Sequence, residues 1–317
     1  MPAFSHDFPF DPSYGHTLDS LLRIAPPPEP DGFAEIWRNR YRRALATDPA
    51  PVLSPPSRQQ GYHCFDLRYR TTGGLTLGGW LLTPVTGEVR RGVVVGHGYG
   101  GRDAPDFDLP VADAALLFPC FRGLSRSRQA PYSDNPYWHV LHDIDKPDRY
   151  VLGGCVEDCW LAVSALLQLY PQVRNHVGYL GISFGGGIGA LAIPWDERIR
   201  LAHLNVPSFG HQPLRVTLPT VGSGAAVRAR AARDGNVLAT LRYYDAACAA
   251  RYARVPGHFA LALFDPAVAP PGQFAVFNAW QGRKDLQVLA AGHFDYPGRS
   301  AEELALRDGL RNFFEPL

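Results

Sequence analysis

Val177-Gly178-Tyr179-Leu180-Gly181-Ile182-Ser183-Phe184-Gly185-Gly186-Gly187-Ile188-Gly189-Ala190 is the stretch on which the fold turns. Its first half is a short apolar run, as in a strand buried in a parallel sheet. Its second half is a small-residue helix. Between them stands Gly181-Ile182-Ser183-Phe184-Gly185, a G-x-S-x-G pentapeptide. A serine in a sharp strand-to-helix turn has a strained backbone, and the positions around it must be glycine to clear strand and helix. Gly181 and Gly185 fill those positions, and Ser183 is the candidate nucleophile. Its hydroxyl would stand at the carboxyl edge of the sheet, where the following helix amino terminus favours developing negative charge.

Strand and helix patterns alternate around this turn. Gly92–Gly96, Leu116–Phe121 (with Pro119 inside it), Phe259–Phe264 and Leu286–Ala290 read as strands, while Val156, Trp160, Val163, Leu167 and Tyr170 recur at helical spacing. Such alternation implies a mostly parallel central sheet with helices on both faces, and with the elbow at Ser183 the expected class is the α/β-hydrolase fold. Upstream, Phe65, Leu67 and Tyr69 alternate with polar residues, Thr71-Thr72-Gly73-Gly74 makes a turn, and Leu75–Leu82 returns as the second arm of an antiparallel hairpin. A helix is expected over Phe33–Leu45, capped by Asp31. Its apolar stripe is Phe33, Ile36, Trp37, Tyr41 and Leu45, and Arg38, Arg40, Arg42 and Arg43 form a solvated face. In the last helix Ser300 and Glu303 form a capping box, and Leu306, Leu310, Phe313 and Phe314 face inward. One domain over residues 1–317 is expected, with residues 1–57 as an N-terminal wrap and helix. Residues 207–256, rich in Ala and Arg, read as a lid-like helical insertion.

A serine at neutral pH needs a base, and this fold supplies it from loops after later strands, in the order Ser, acid, His. His293, in Ala291-Gly292-His293-Phe294, follows the last strand. His258 and His176 begin strands and so belong to the other edge, His203 lies within or near a strand, and His211 falls in the insertion. Asp265 directly follows Phe259–Phe264 and is the candidate acid, whereas Asp285 precedes the last strand and Asp295 is too near His293 to reach around it. Two backbone N–H groups should form an oxyanion hole. Phe184 supplies one, and Tyr99, in His97-Gly98-Tyr99-Gly100-Gly101 after an early strand, the other. His97 reads as a structural loop residue.

Composition narrows the field. Lys plus Arg number 31 and Asp plus Glu 30, for a formal net charge of +1, which gives no electrostatic reason to expect nucleic acid or an anionic membrane as partner. No apolar run reaches the roughly 20 residues that span a bilayer. The stretch from Met1 to Gly15 lacks the basic and apolar regions of a signal peptide. Five cysteines, Cys64, Cys120, Cys155, Cys159 and Cys248, read as buried free thiols, and a cytoplasmic location is expected. No metal or cofactor is implied.

These residues resemble the acetyl xylan esterase / cephalosporin-C deacetylase family over most of the chain. The resemblance rests on the Phe33–Leu45 helix with Trp37, on Gly79-Trp80-Leu81-Leu82 and on Gly98-Tyr99-Gly100-Gly101. It also rests on Arg122-Gly123, on Phe264-Asp265-Pro266 through Pro270-Pro271, and on Gly292-His293. It implies a triad of Ser183, Asp265 and His293, metal-free removal of acetyl groups from sugars or similar small alcohols, and a hexamer with inward-facing sites. Leu124 and Phe184 stand where the family has Gln, and Phe294 where it has Glu. Phe184 is expected to make the mouth of the pocket more apolar. Two alternatives stay open: a peptidase or dienelactone-type hydrolase on the same fold, and a binding protein that keeps the fold without turnover.

Overall fold

The computed structural model describes residues 4–317, so the first three residues of the N-terminal wrap lie outside the described residues. Ten strands form one sheet. They are β1 (Val52–Leu53), β2 (Ser57–Gln59), β3 (Tyr62–Arg70), β4 (Thr76–Pro84), β5 (Arg91–Gly96), β6 (Ala114–Pro119), β7 (Val177–Ile182), β8 (Ile199–Asn205), β9 (Gly257–Ala262) and β10 (Lys284–Leu289). Their spatial order is β1-β3-β4-β6-β5-β7-β8-β9-β10, with β2 paired to β3. β6, β5, β7, β8, β9 and β10 run parallel, and β4 joins β6 antiparallel. The helices are α1 (Leu18–Leu21), α2 (Phe33–Leu45), α3 (Pro136–His139), α4 (Val151–Leu169), α5 (Phe184–Ala192), α6 (Gln212–Arg215), α7 (Ser223–Ala231), α8 (Asn236–Leu241), α9 (Ala246–Ala250), α10 (Pro270–Ala279) and α11 (Arg299–Phe314). Because β5, β7, β9 and β10 are parallel, the loops that follow them share one edge of the sheet.

The antiparallel hairpin is β3 and β4. β6 ends on Pro119 rather than running through it, so the missing N–H falls at a strand terminus. β8 is a strand whose apolar residues are interrupted by Arg200 and His203, and only His203 hinted at it in the sequence. Two expected caps do not form. Gly32, at φ +72°, precedes α2, and Asp31 makes no cap; Gly298, at φ +96°, precedes α11, where Ser300 is already helical and Glu303 pairs with Arg299. A left-handed glycine turns the chain into each helix without side-chain help.

The buried stripe of α2 is Phe33, Trp37, Arg40 and Ala44, while Leu45 is exposed. Arg40 is therefore not on the solvated face. It is 5 % exposed and donates to Glu157 of α4 at 2.7 Å. α4 is long and on average apolar enough to cross a membrane, although Glu157 and Asp158 interrupt its apolar run, and 83 % of its most apolar 18 residues are buried inside the protein. Its Asp158 is held by Arg122, whose Nε and backbone N–H each lie 3.0 Å from Oδ2 and whose terminal nitrogen lies 2.6 Å from Oδ1. Thr71 donates to the same carboxylate at 2.7 Å. Removing one partner of such a pair strands a buried charge. Asp158→Ala is expected to lower unfolding free energy by about 3–5 kcal/mol in urea titration, far more than loss of the exposed Arg70–Asp48 pair.

The 207–256 segment carries the helices α6, α7, α8 and α9. Its last helix, α9, is wholly buried against α5 and α10 and so belongs to the core rather than to a cover. The segment's earlier part reaches the site: Val221 N–H donates to Pro266 O at 2.8 Å. All five cysteines are unpaired and buried.

Candidate active site

At the end of β7 the backbone of Ser183 takes φ +53°, ψ −112°, a strained conformation for a residue with a side chain. Gly181 and Gly185 permit it. A Cβ on Gly181 would lie 2.5 Å from Gly185 O, and one on Gly185 would lie 2.6 Å from Gly96 O of β5. The turn thus needs both glycines because backbone meets backbone.

Asp265 follows β9 and His293 follows β10, so parallel neighbours deliver both to the same edge. Ser183 Oγ–H donates to His293 Nε2 at 2.9 Å, and His293 Nδ1–H donates to Asp265 Oδ2 at 2.8 Å. Asp265 is fully buried. Its Oδ1 accepts from the N–H groups of Ala267 and Val268, both at 2.9 Å, and its Oδ2 accepts from Gln273 Nε2 at 3.0 Å. Gln273 was not singled out in the sequence. It is completely buried, and its Oε1 accepts from Ala262 N–H at 2.9 Å, so it locks the acid loop to β9. Burial depresses the His293 pKa, but the charge and hydrogen bond of Asp265 outweigh it, and the imidazole titrates above its ordinary value.

The Tyr99 loop follows β5 beside the nucleophile: a Cβ on Gly98 would lie 3.9 Å from Ser183 Cβ. Among the described residues the N–H groups of Tyr99 and Phe184 make no backbone hydrogen bond outside regular elements. His97 is a structural brace, as read. Its Nδ1–H donates to Gly98 O at 2.7 Å, its Nε2 accepts from Phe121 N–H at 3.1 Å, and burial lowers its pKa to about 4. A second brace was missed in the sequence. His139 Nε2–H donates to Arg122 O at 2.8 Å, which leaves Nδ1 to accept the Tyr99 O–H at 2.9 Å. Nothing local marked His139, since its partners lie 17 and 40 residues away.

Phe184 is not at the mouth of a pocket. Its ring is fully buried and packs 4.2 Å from that of Tyr99, with Phe121 and Phe209 edge-on. An inward-pointing first helical residue joins the core and offers the site only its backbone. Phe294 instead packs outward with Phe264, Phe4 and Phe8. A groove of about 550 Å³, lined by His293, Phe294, Tyr296 and Leu306, runs from the imidazole toward α11. His258 and His203 form a pair at 3.0 Å within the sheet, His176 meets Leu317 O, and His211 accepts from Leu214 N–H. Asp285 pairs with Arg283 and Asp295 with Arg299, so none of these rivals approaches Ser183.

Strand order and the sequence of loops that carry hydroxyl, carboxylate and imidazole place the molecule among the α/β-hydrolases, and the family match that follows makes it an esterase of the serine hydrolase type. The model of the acetyl xylan esterase family matches residues 18–305, and the chain belongs to that family. Among solved structures, the acetyl xylan esterase from Paenibacillus sp. R4 superposes with a TM-score of 0.81 at 21 % identity, over 93 % of this chain and 99 % of that one. Acetyl xylan esterase 1 from Thermoanaerobacterium sp. JW/SL YS485 gives 0.78 at 20 %, over 95 % and 99 %. The acylaminoacyl peptidase of Pyrococcus horikoshii gives 0.63 at 14 %, over 80 % of this chain and 42 % of that one.

Proposed function

We propose that this chain removes acetyl groups from small acetylated alcohols such as sugars, through a covalent acyl-enzyme on Ser183. The relay from Ser183 Oγ through His293 to Asp265, at 2.9 and 2.8 Å, is the observation that supports it most directly. In the first half-reaction His293 Nε2 takes the Oγ proton as Oγ bonds to the ester carbonyl carbon. Tyr99 and Phe184 N–H groups hold the oxyanion. The carbon–alkoxy bond then breaks, and the alcohol leaves with the proton from Nε2. In the second half, His293 takes a proton from water, whose oxygen attacks the acyl carbon, and acetate departs as Ser183 recovers its proton. Asp265 accepts the Nδ1 proton of His293 in a hydrogen bond and fixes the imidazole tautomer.

The test is hydrolysis of p-nitrophenyl acetate, butyrate and octanoate. Activity is expected to fall as the acyl chain lengthens. Equal rates on octanoate and acetate would exclude a deacetylase, and failure of the folded protein on all three, with no labelling by a fluorophosphonate probe, would favour the non-catalytic alternative. Five buried thiols are also compatible with the reducing cytoplasm proposed for the protein.

A further inference from the structure

Arg215, the last residue of α6, is a cation without an anion. It is half-buried, and among the described residues it forms no ion pair. Its one hydrogen bond runs from a terminal nitrogen to Gln212 Oε1 at 3.2 Å. Its guanidinium carbon lies 5.4 Å from the centre of the Phe209 ring, which packs at 5.9 Å on Phe184, which in turn lies 4.2 Å from Tyr99. Asp245 is the acid whose field reaches it, but that carboxylate is occupied by the N–H groups of His211, Ala247 and Cys248 at 3.1, 2.9 and 3.2 Å.

A second unmet group lies on the same chain of contacts: the Tyr150 ring packs edge-on to Tyr244 at 5.0 Å, and Tyr244 O accepts at 3.1 Å from the side chain of Gln212, to which Arg215 donates. Tyr150 is 1 % exposed, and its hydroxyl has no hydrogen-bond partner. The charge of Arg215 also acts on the hydroxyls of both Tyr99 and Tyr150. Burial holds the Arg215 pKa below the usual guanidinium value. An unpaired cation beside an unsatisfied buried hydroxyl is costly on both counts. One carboxylate would satisfy both, accepting from the guanidinium fork and from the phenol. The loop that brings Phe209 and α6 here is strained, with Val206, Phe209 and His211 at φ +41°, +69° and +53°, and Ser208 N–H ties it to Ser183 O at 3.0 Å. Strain held this close to a nucleophile is characteristic of a functional site.

We infer that Arg215, with Tyr150, is a specificity-determining subsite for a carboxylate on the substrate, so that the preferred substrate is a small acyl ester bearing an acidic group. This rests on the esterase reading above and narrows its substrate class. The carboxylate has two sources, the departing alcohol and the acyl group, and two probe pairs separate them. One compares 4-carboxyphenyl acetate with 4-carbamoylphenyl acetate. The other compares p-nitrophenyl hemisuccinate with p-nitrophenyl pentanoate. In the wild type one pair is expected to favour its charged member in kcat/KM by about tenfold or more. Arg215→Met and Tyr150→Phe should each reduce that ratio, and Arg215→Glu should invert it. The ratio is internal to each variant, so it does not depend on how much folded enzyme each preparation holds. A wild-type preference below about threefold in both pairs, or one that persists in Arg215→Met, overturns the subsite. Failure of the wild type to hydrolyse any of the four esters would instead overturn the esterase reading.

Discussion

Ser183→Ala is expected to lower kcat on p-nitrophenyl acetate by roughly 10⁶, to a rate set by the oxyanion donors and binding alone. Among the described residues no other hydroxyl is hydrogen-bonded to His293. The group hydrogen-bonded to His293 Nε2 is Ser183 Oγ, and the backbone there holds a conformation that fixes Oγ alone in that position. Alanine removes one atom and keeps the Cβ that the turn already tolerates, so the fold should be retained. The check is single-turnover kinetics alongside a melting curve. An alanine variant that keeps even a tenth of the activity, with melting unchanged, would remove Ser183 from the mechanism.

Asp265→Asn should cost about 10⁴ in kcat while leaving the loop in place, by the reasoning that applies to other hydroxyl–imidazole–carboxylate relays. An amide is nearly isosteric, and its oxygen still accepts from Ala267 and Val268, which hold the loop, but its NH₂ in the place of Oδ2 no longer accepts from Gln273 and, turned toward His293, selects the wrong tautomer. The same variant makes a statement about pH. His293 works as a base only when neutral, and Asp265 raises its pKa above the ordinary value of about 6.5. The acid limb of kcat/KM in the wild type should therefore have its midpoint above that value. With the carboxylate's charge gone, burial is left to act by itself and pushes the imidazole down, so the limb should move to lower pH. A wild-type limb below about 6, or one that does not move in Asp265→Asn, would show that His293 is not the titrating base.

Ser183, Asp265 and His293 were legible in the sequence because each depends on local information: a pentapeptide between strand and helix, and single residues directly after strands. The parallel sheet then carries those local positions to one edge. What the sequence withheld lies between distant segments. Gln273 looked like any polar residue early in a helix, yet it buttresses the acid. Arg40 sat among arginines that suggested solvent, but its partner Glu157 is 117 residues away. The inward turn of Phe184 depends on Tyr99, Phe121 and Phe209, three residues from three other segments. The caps of α2 and α11 were misplaced for a related reason: a positive-φ glycine competes with a capping side chain, and glycine's freedom leaves no periodic trace.

The amino-terminal segment holds the two loops that meet the nucleophile. Asp265 N–H donates to Pro12 O at 3.0 Å, and Phe4 packs on Phe264, Phe294 and Tyr296 at 5.1 to 5.6 Å. Residues 4–12 thus find these seats only after residues 264–296, far later in the chain, have been made. During synthesis Phe4 and Phe8 lack their partner Phe294 until the chain beyond His293 has emerged, and Ser183, Asp265 and His293 cannot be brought together before then. A half-made chain therefore carries Ser183 without the imidazole and carboxylate that meet it in the fold.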